Sequence, residues 1–299
     1  KLLNQGVKRN SMNKFGKVVA IAAACAALTG SVAAFSACGE GGESYQIDIS
    51  GSTSMEDAMN ALADKFIEMK GEEGIELTIN ISATGSGSGI SDAEQGKVDF
   101  GMASRALEGD ETEQLESKTI CLDGISVVVN PNCTLTSVTK SQLVNLYTKG
   151  EAIGDVTAAL RRESGSGTRD GFEEALGIKG ETMFDDAAGF DEFTSTGTLK
   201  ASIVADTAGK KLGYISMGSV DSSVKALAYD AEDGKGAVAA TKENVLNGSY
   251  AISRPFVICY QSYDELSDIT KEFIEFIMSD AGQQICEAEG CISEVLANK

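Results

Sequence analysis

Three short turns rich in serine and glycine, each set just before an amphipathic helical pattern, constrain this chain more than any other feature. They are Gly51-Ser52-Thr53-Ser54, Gly85-Ser86-Gly87-Ser88-Gly89 and Ser164-Gly165-Ser166-Gly167-Thr168. The first two follow strand-like runs at 47–49 and 77–81. A helix start presents unpaired backbone N–H groups and a partial positive charge. Glycine lets that backbone come close to a ligand, and hydroxyls add donors without adding charge. One such turn is ordinary. Three, spread over more than a hundred residues, imply a pocket that holds a small multi-oxygen anion from several sides.

The remaining pattern is an alternation of strands and helices. Met55, Met59, Leu62, Phe66 and Ile67 share one helical face, and Leu77, Ile79 and Ile81 alternate as in a strand. Residues 98–102, 125–129, 212–216 and 256–260 read as buried strands. Phe172, Ala175 and Leu176 open another helix, and Ile269, Phe273, Phe276, Ile277 and Ile285 line a final long one. This rhythm predicts an α/β fold with mixed, mostly parallel sheets flanked by helices. In such sheets ligands sit at the carboxyl ends of strands, where helix N-termini also point.

Composition removes several classes of function. The chain has no histidine, so Ser-His-Asp and Cys-His catalysis and histidine-ligated metals are excluded. No metal or cofactor is expected. The formal net charge is −20. Five basic residues and no acid precede Cys38, so the body after it is more acidic still. That argues against nucleic-acid partners and anionic lipid surfaces. It leaves room for a small anion, because buried dipoles and one or two arginines set the local field.

The N-terminal segment reads as an export signal. Lys14 and Lys17 precede an uncharged stretch over 18–37, and Ala37-Cys38 is followed by a polar Gly/Glu linker. Cleavage before Cys38 would leave it as the lipid-bearing residue, with a signal peptide over 1–37 and a linker over 38–44. Five cysteines follow in the body (Cys121, Cys133, Cys259, Cys286, Cys291), an odd number without a C-x-x-C. Buried free thiols are the expected state.

Each motif also has a plain structural explanation. Thr53-Ser54-Met55-Glu56 fits a capping box, and Thr194-Ser195-Thr196-Gly197-Thr198 fits a helix cap. Gly85 to Gly89 could be a flexible loop. The stretch Arg162-Glu163-Ser164-Gly165-Ser166-Gly167-Thr168-Arg169 points most sharply to function, because a guanidinium beside hydroxyls and glycines suits bidentate oxyanion binding. Ser104 and Arg105 stand at the end of the strand DFGMAS, where Arg105 could equally be a surface cation. P-loop, G-x-G-x-x-G and G-x-S-x-G patterns are missing.

Taken in order, the stretches ISGSTSMEDA, ATGSGSGISDAEQGKVDFGMASR, LDGISVVVNP, RRESGSGTRDGFEEALG, KLGYISMGSV, ATKENVLNGSYAISRPF and FIMSDAGQQICEAEGCI resemble the phosphate-binding lipoproteins of bacterial phosphate ABC importers, in their Firmicutes form. The likeness runs from about 45 to 295. It implies a two-lobe periplasmic-binding-protein-like fold of type II with hinge strands, lobe I over 45–127 plus 257–299 and lobe II over 128–256. It implies a monomer that binds inorganic phosphate at the outer face of the cell membrane, held there by a lipid anchor, and delivers it to an ABC permease. By the same resemblance the ligands are Thr53, Ser54, Ser86, Ser104, Arg105, Arg162, Ser166, Gly167 and Thr168, with Arg169 and Glu56 as further candidates. Two departures stand out. Where some relatives carry an aspartate that accepts a phosphate proton, this chain has Ser104 and Arg105, leaving Glu56 as one candidate acceptor. The segment 147–160 is short. The alternatives are another tetrahedral oxyanion (sulfate, molybdate) on the same fold, or a phosphoesterase with a serine such as Ser166 as nucleophile.

Overall fold

A computed structural model describes residues 44–181 and 190–297, the side chains of 190 and 191 excepted. The expected signal peptide, the lipid-bearing Cys38 and the linker up to residue 43 lie outside these residues.

The chain runs β1 (Ser44–Gly51), α1 (Glu56–Glu72), β2 (Glu76–Ala83), α2 (Ser86–Glu94), β3 (Phe100–Ala103), the short α3 (Glu111–Gln114) and the long β4 (Glu116–Val129). It continues through β5 (Ser137–Thr139), α4 (Lys140–Lys149), β6 (Ala158–Arg162), α5 (Gly167–Leu176), β7 (Phe190–Phe193), α6 (Thr196–Ala205) and β8 (Lys211–Ser216). It closes with β9 (Lys225–Ala226), β10 (Ala228–Asp230), β11 (Ala237–Val238), α7 (Lys242–Leu246), β12 (Ser253–Tyr260), α8 (Asp268–Met278), α9 (Asp280–Ala288) and α10 (Glu294–Ala297). Among the described residues no helix is long and apolar enough to cross a membrane.

The main sheet has the order β2-β1-β3-β12-β4-β8-β6-β7, with β9 also on β4. Its two flanks are parallel: β1 with β2 and β3, and β6 with β7 and β8. Its centre is antiparallel, because β12 pairs with β3 and β4, and β4 with β8. The parallel rhythm expected from sequence therefore holds only on the flanks. Strand β4 is longer than its apolar run at 125–129. Its first half is exposed at Glu116–Thr119, hiding it from a search for buried strands, and that half pairs with β12 while the second half pairs with β8.

Apolar side chains gather into two large clusters. One joins Ile47, Ile49, Met59, Leu62, Phe66, Phe100 and the α8 residues Phe273 and Ile277. The other joins Ile125, Val127, Leu143, Tyr147, Phe172, Leu212, Tyr214 and Tyr250. Each fully buried large apolar side chain contributes roughly 1.5–3 kcal/mol. The aromatic contacts follow the same division: Phe66 lies against Phe273 and Phe276, and Phe172 stacks on Tyr214 at 4.0 Å.

Two local expectations are overturned. The final long helix is broken at Ser279, whose Oγ accepts from Gly282 N and starts α9. A Cβ on Gly282 would lie 2.2 Å from the Phe276 carbonyl, so glycine is what lets the chain turn back against α8. The capping box at Thr53 and Glu56 does not form either: Met55 is the N-cap of α1 and makes no side-chain cap. The Thr53 hydroxyl is turned elsewhere.

Candidate functional site

Glycine contacts bring the first two turns together. Gly51 ends β1 at φ +138°, and a Cβ there would lie 2.1 Å from the Met102 carbonyl of β3. A Cβ on Gly89 would lie 2.5 Å from Gly51 Cα, and one on Gly101 would lie 2.3 Å from the Gly89 carbonyl. Helix α2 can thus lie directly on the ends of β1 and β3 because three elements meet through hydrogen atoms alone. The result places Ser86, the first residue of α2, 3.1 Å from the Ser104 hydroxyl and within 3.1 Å of the Ser104 N–H, which donates to it.

The third turn reaches the same place from the other cluster. Gly87 N donates to the Gly165 carbonyl at 2.9 Å. The Ser54 and Thr168 hydroxyls are 2.9 Å apart although 114 residues separate them. Gly167, opening α5, is so close to the serine pair that a Cβ would stand 2.7 Å from both the Ser86 and Ser104 oxygens. Ser166 is the N-cap of α5, its Oγ accepting from Arg169 N.

Arg162 ends β6 and is buried, with 2% exposure. Its backbone N–H donates to the Tyr214 hydroxyl, which the Phe172 stack holds in place. Its guanidinium donates from Nη2 to Thr53 Oγ1 and from Nη1 to Thr196 Oγ1, both at 3.1 Å. Glu163 takes Nε and Nη2 at 2.9 Å each.

A second buried guanidinium was not anticipated. Arg254 on β12 is the direct cross-strand partner of Asp123 on β4. Their side chains are 2% and 1% exposed. Arg254 donates from Nε and Nη2 to Asp123 Oδ2 at 3.1 and 2.8 Å, and from Nη1 to Ser104 Oγ at 3.1 Å. Burial lowers the Arg254 pKa against the pull of Asp123, and nearby Arg162 lowers it further. Burial likewise pushes the Asp123 carboxyl up, opposed by Arg254 and by its bonds from Ser216 and Met217 N. Two like charges held in one buried region are eased by an anion between them. Thr196 is the other residue missed. The Thr194–Thr198 turn does cap α6 through Ser195, and it also delivers the Thr196 hydroxyl to Arg162, 3.2 Å from Ser54 Oγ. A lone acid in the apolar run LDGISVVV and a lone arginine in SRPFVICY were the available signals for Asp123 and Arg254.

Thr53, Ser54, Ser86, Ser104, Arg162, Ser166, Gly167 and Thr168 are therefore gathered in one region. Arg105 does not join them. Its guanidinium holds Glu111 through Nη1 and Nη2 at 2.7 and 2.8 Å, and Asp170 through Nε at 3.1 Å. Arg169 lies alongside, with Nε on Glu173 at 2.7 Å and Nη1 on the Arg162 carbonyl. Glu56 is exposed at the start of α1. It lines an adjoining cavity of about 350 Å³ with Thr53, Asp57 and Thr196. A second cavity, of about 420 Å³, adjoins Gly85, Gly87, Glu163 and Gly165.

A region of converging hydroxyls, helix N-termini and two buried guanidinium groups, set in a mixed α/β sheet, has the chemistry to hold an anion, and the chain belongs to the periplasmic-binding-protein superfamily, whose domain matches residues 36–281. Among solved structures it is similar to a phosphate ABC transporter substrate-binding protein with bound phosphate from Clostridium perfringens: 35% identity, TM-score 0.74, 83% of this chain and 99% of that one. It is similar also to an ABC-type phosphate transport receptor from Vibrio cholerae, at 32% identity and TM-score 0.64, with the same shares covered. Among characterised relatives, the phosphate-binding protein PstS of Staphylococcus epidermidis is 29% identical over 273 residues, 83% of this chain and 81% of that protein. The match to PstS 2 of Streptococcus agalactiae, at 37% identity, covers 44% of each chain and so less than half of that relative.

Proposed function

We propose that this protein is the solute receptor of a phosphate ABC importer. It binds inorganic phosphate outside the cell membrane and passes it to the permease without making or breaking a bond. The observation that carries this reading is the convergence of Thr53, Ser54, Ser86, Ser104, Arg162, Gly167, Thr168 and Thr196 from turns far apart in sequence. Glycines set the backbone close, and guanidinium groups supply charge to a site otherwise built of neutral donors. A relative with 35% identity carries phosphate.

The reading includes two lobes that close on the ligand, over 45–127 with 257–299 and over 128–256. The separate apolar clusters and the passage of β4 and β12 between them support it. It includes anchoring through Cys38 after removal of residues 1–37, supported by the basic start, the uncharged stretch and the Ala-Cys junction. The protein acts as a monomer. Ser166, the serine that a phosphoesterase would use, is engaged as a helix cap, which favours binding over hydrolysis.

Desolvation of the anion is offset by neutral and charge-assisted hydrogen bonds, the latter about twice as strong. A preorganised site of this kind reaches micromolar affinity or better, about −8 kcal/mol. Isothermal titration with phosphate, then sulfate, tests the assignment. Arg162→Ala is expected to weaken phosphate binding at least about tenfold, near 1.4 kcal/mol, with the fold intact. Unchanged affinity in that variant, or no heat of binding in the parent, refutes the assignment.

A further inference from the structure

We propose that the segment 105–111 is an electrostatic strap over α5: Arg105 on Asp170 and Glu108 on Lys179 tie both ends of that helix to lobe I and so set how slowly phosphate is released, without touching it. Such a strap presupposes the two-lobe phosphate receptor proposed above and adds to it what holds the closed form.

Helix α5 belongs to lobe II and carries the ligand candidates Gly167 and Thr168 at its start. Two ion pairs reach it from lobe I. In its first turn, Asp170 accepts from Arg105 Nε at 3.1 Å. Just past its C-cap, Lys179 Nζ donates to both carboxylate oxygens of Glu108, at 2.7 and 2.9 Å. The two anchor points therefore stand at opposite ends of a helix about 15 Å long. Other ion pairs cross the same boundary without touching α5. Asp123–Arg254 lies within the paired strands β4 and β12, and Lys242–Glu287 joins α7 to α9.

The lobe I side of the strap is organised before it meets α5. Glu111 takes Nη1 and Nη2 of Arg105 at 2.7 and 2.8 Å and accepts from Glu108 N at 2.8 Å. Arg105 Nη1 also donates to the Ala106 carbonyl at 2.9 Å. These bonds all lie within lobe I, so the guanidinium keeps its aim when the lobes part, with Nε directed to where Asp170 arrives. Little side-chain freedom is then lost at each closure. The two pairs differ in strength. Arg105 and Asp170 are 12% and 23% exposed, whereas Lys179 and Glu108 are 39% and 51% exposed and more fully screened.

Two features make ion pairs the means of holding α5 here. The space between the strap and the hinge strand β12 is not filled by side chains: a cavity of about 470 Å³ lies there, lined by Arg105, Glu108, Gly171, Glu174, Ser253 and Arg254. Net charge also opposes closure. Residues 45–127 with 257–299 hold 7 basic against 26 acidic side chains, and residues 128–256 hold 13 against 17. Bodies of like sign repel. Opposite charges that meet only in the closed form shift the equilibrium towards it. Contacts made only after capture slow release and leave the rate of capture by the open form unchanged.

The test is release of radiolabelled phosphate into excess unlabelled phosphate, followed by rapid filtration, with X-ray scattering to report closure. It compares the full protein with Glu108→Lys, Lys179→Glu, the swap Glu108→Lys/Lys179→Glu, and Asp170→Asn. The two single reversals change net charge in opposite directions, so a long-range field effect would move their release rates apart. The strap instead makes both release phosphate about fivefold faster. The swap, which restores an attractive pair, returns to within about twofold of the parent. Asp170→Asn, which breaks the less exposed pair, releases about tenfold faster. Glu108 and Lys179 are exposed, so melting temperatures without phosphate stay at the parental value in all three variants of that pair. Single reversals that release phosphate at the parental rate, or a swap no slower than they are, overturn the strap and leave the phosphate assignment standing. A parent that binds phosphate without contracting overturns the strap together with lobe closure. A parent that binds no phosphate overturns the assignment as well.

Discussion

Gly167→Ala separates binding from folding. Gly167 opens α5, and its φ lies outside the left-handed region, so alanine adds no backbone strain. Alanine is in fact the better helix former by about 1 kcal/mol in a helix interior. The cost falls elsewhere. The new methyl would stand 2.7 Å from the hydroxyl oxygens of both Ser86 and Ser104, and 3.0 Å from Ser104 C. Side-chain carbons do not tolerate contacts that short, so α5 and the serine pair must part. Overpacking of this degree costs about 1–3 kcal/mol. At about 1.4 kcal/mol per tenfold, phosphate affinity should drop roughly 5- to 150-fold. On the two-lobe reading the cost falls on closure, so the melting temperature without phosphate should hold or rise slightly. Gly177→Ala is the matched control. Gly177 is the C-cap of α5 at φ +72°, with nothing within 4 Å of a Cβ. It should lose about 1 kcal/mol of stability to backbone strain and keep its affinity. Calorimetric titration with thermal unfolding of both variants decides the matter. Parental affinity in Gly167→Ala would refute the claim that α5 closes on the serine pair around the ligand.

Two further outcomes are expected. Hydrogen bonding from Arg105 holds the Glu111 carboxyl below its ordinary value of 4.5. A depressed carboxylate stabilises the fold above the unfolded-state value and loses that contribution as pH falls through the folded one. Between about pH 5 and pH 3 the parent should therefore lose more stability than Glu111→Gln, by about 0.5 kcal/mol for so partly exposed a pair; identical pH–melting curves would remove the pair from the account. Cys121, Cys133, Cys259, Cys286 and Cys291 are buried free thiols. Burial pushes Cys259 up to about 12, and hydrogen bonding with Cys286 and Cys291 raises Cys121. A thiol reagent near pH 8 should leave these five unmodified in the native protein and modify all five in denaturant. Stoichiometric modification of any of them in the native state would contradict their placement.

Much of the site was legible in local sequence because its signals are local. A serine or threonine before an apolar period marks a helix start within four residues, and Ser86, Ser166 and Thr168 were found that way. Arg162 was found by its nearness to them. Arg105 was legible only as a charge at a strand end. Its engagement by Glu111 and Asp170 depends on α3 and α5 being packed against it. The break between α8 and α9 was missed because apolar periodicity continues through it, while Ser279 and Gly282 act through a cap and a close contact that the period does not record.

By itself the sequence determined an α/β protein without histidine chemistry, with hydroxyl-rich helix starts suited to an oxyanion. Short-range capping, strand alternation and composition suffice for that. Only the tertiary structure decided which charges enter the site. Arg254 and Asp123 lie 131 residues apart, and they meet because the register of β12 on β4 sets them opposite one another. Thr196 reaches Arg162 because β7 runs parallel beside β6 with Phe193 opposite Arg162, so that α6, which follows β7, begins next to the end of β6. A buried ion's stability depends on what faces it across strands, and that is a property of register and packing rather than of neighbours along the chain.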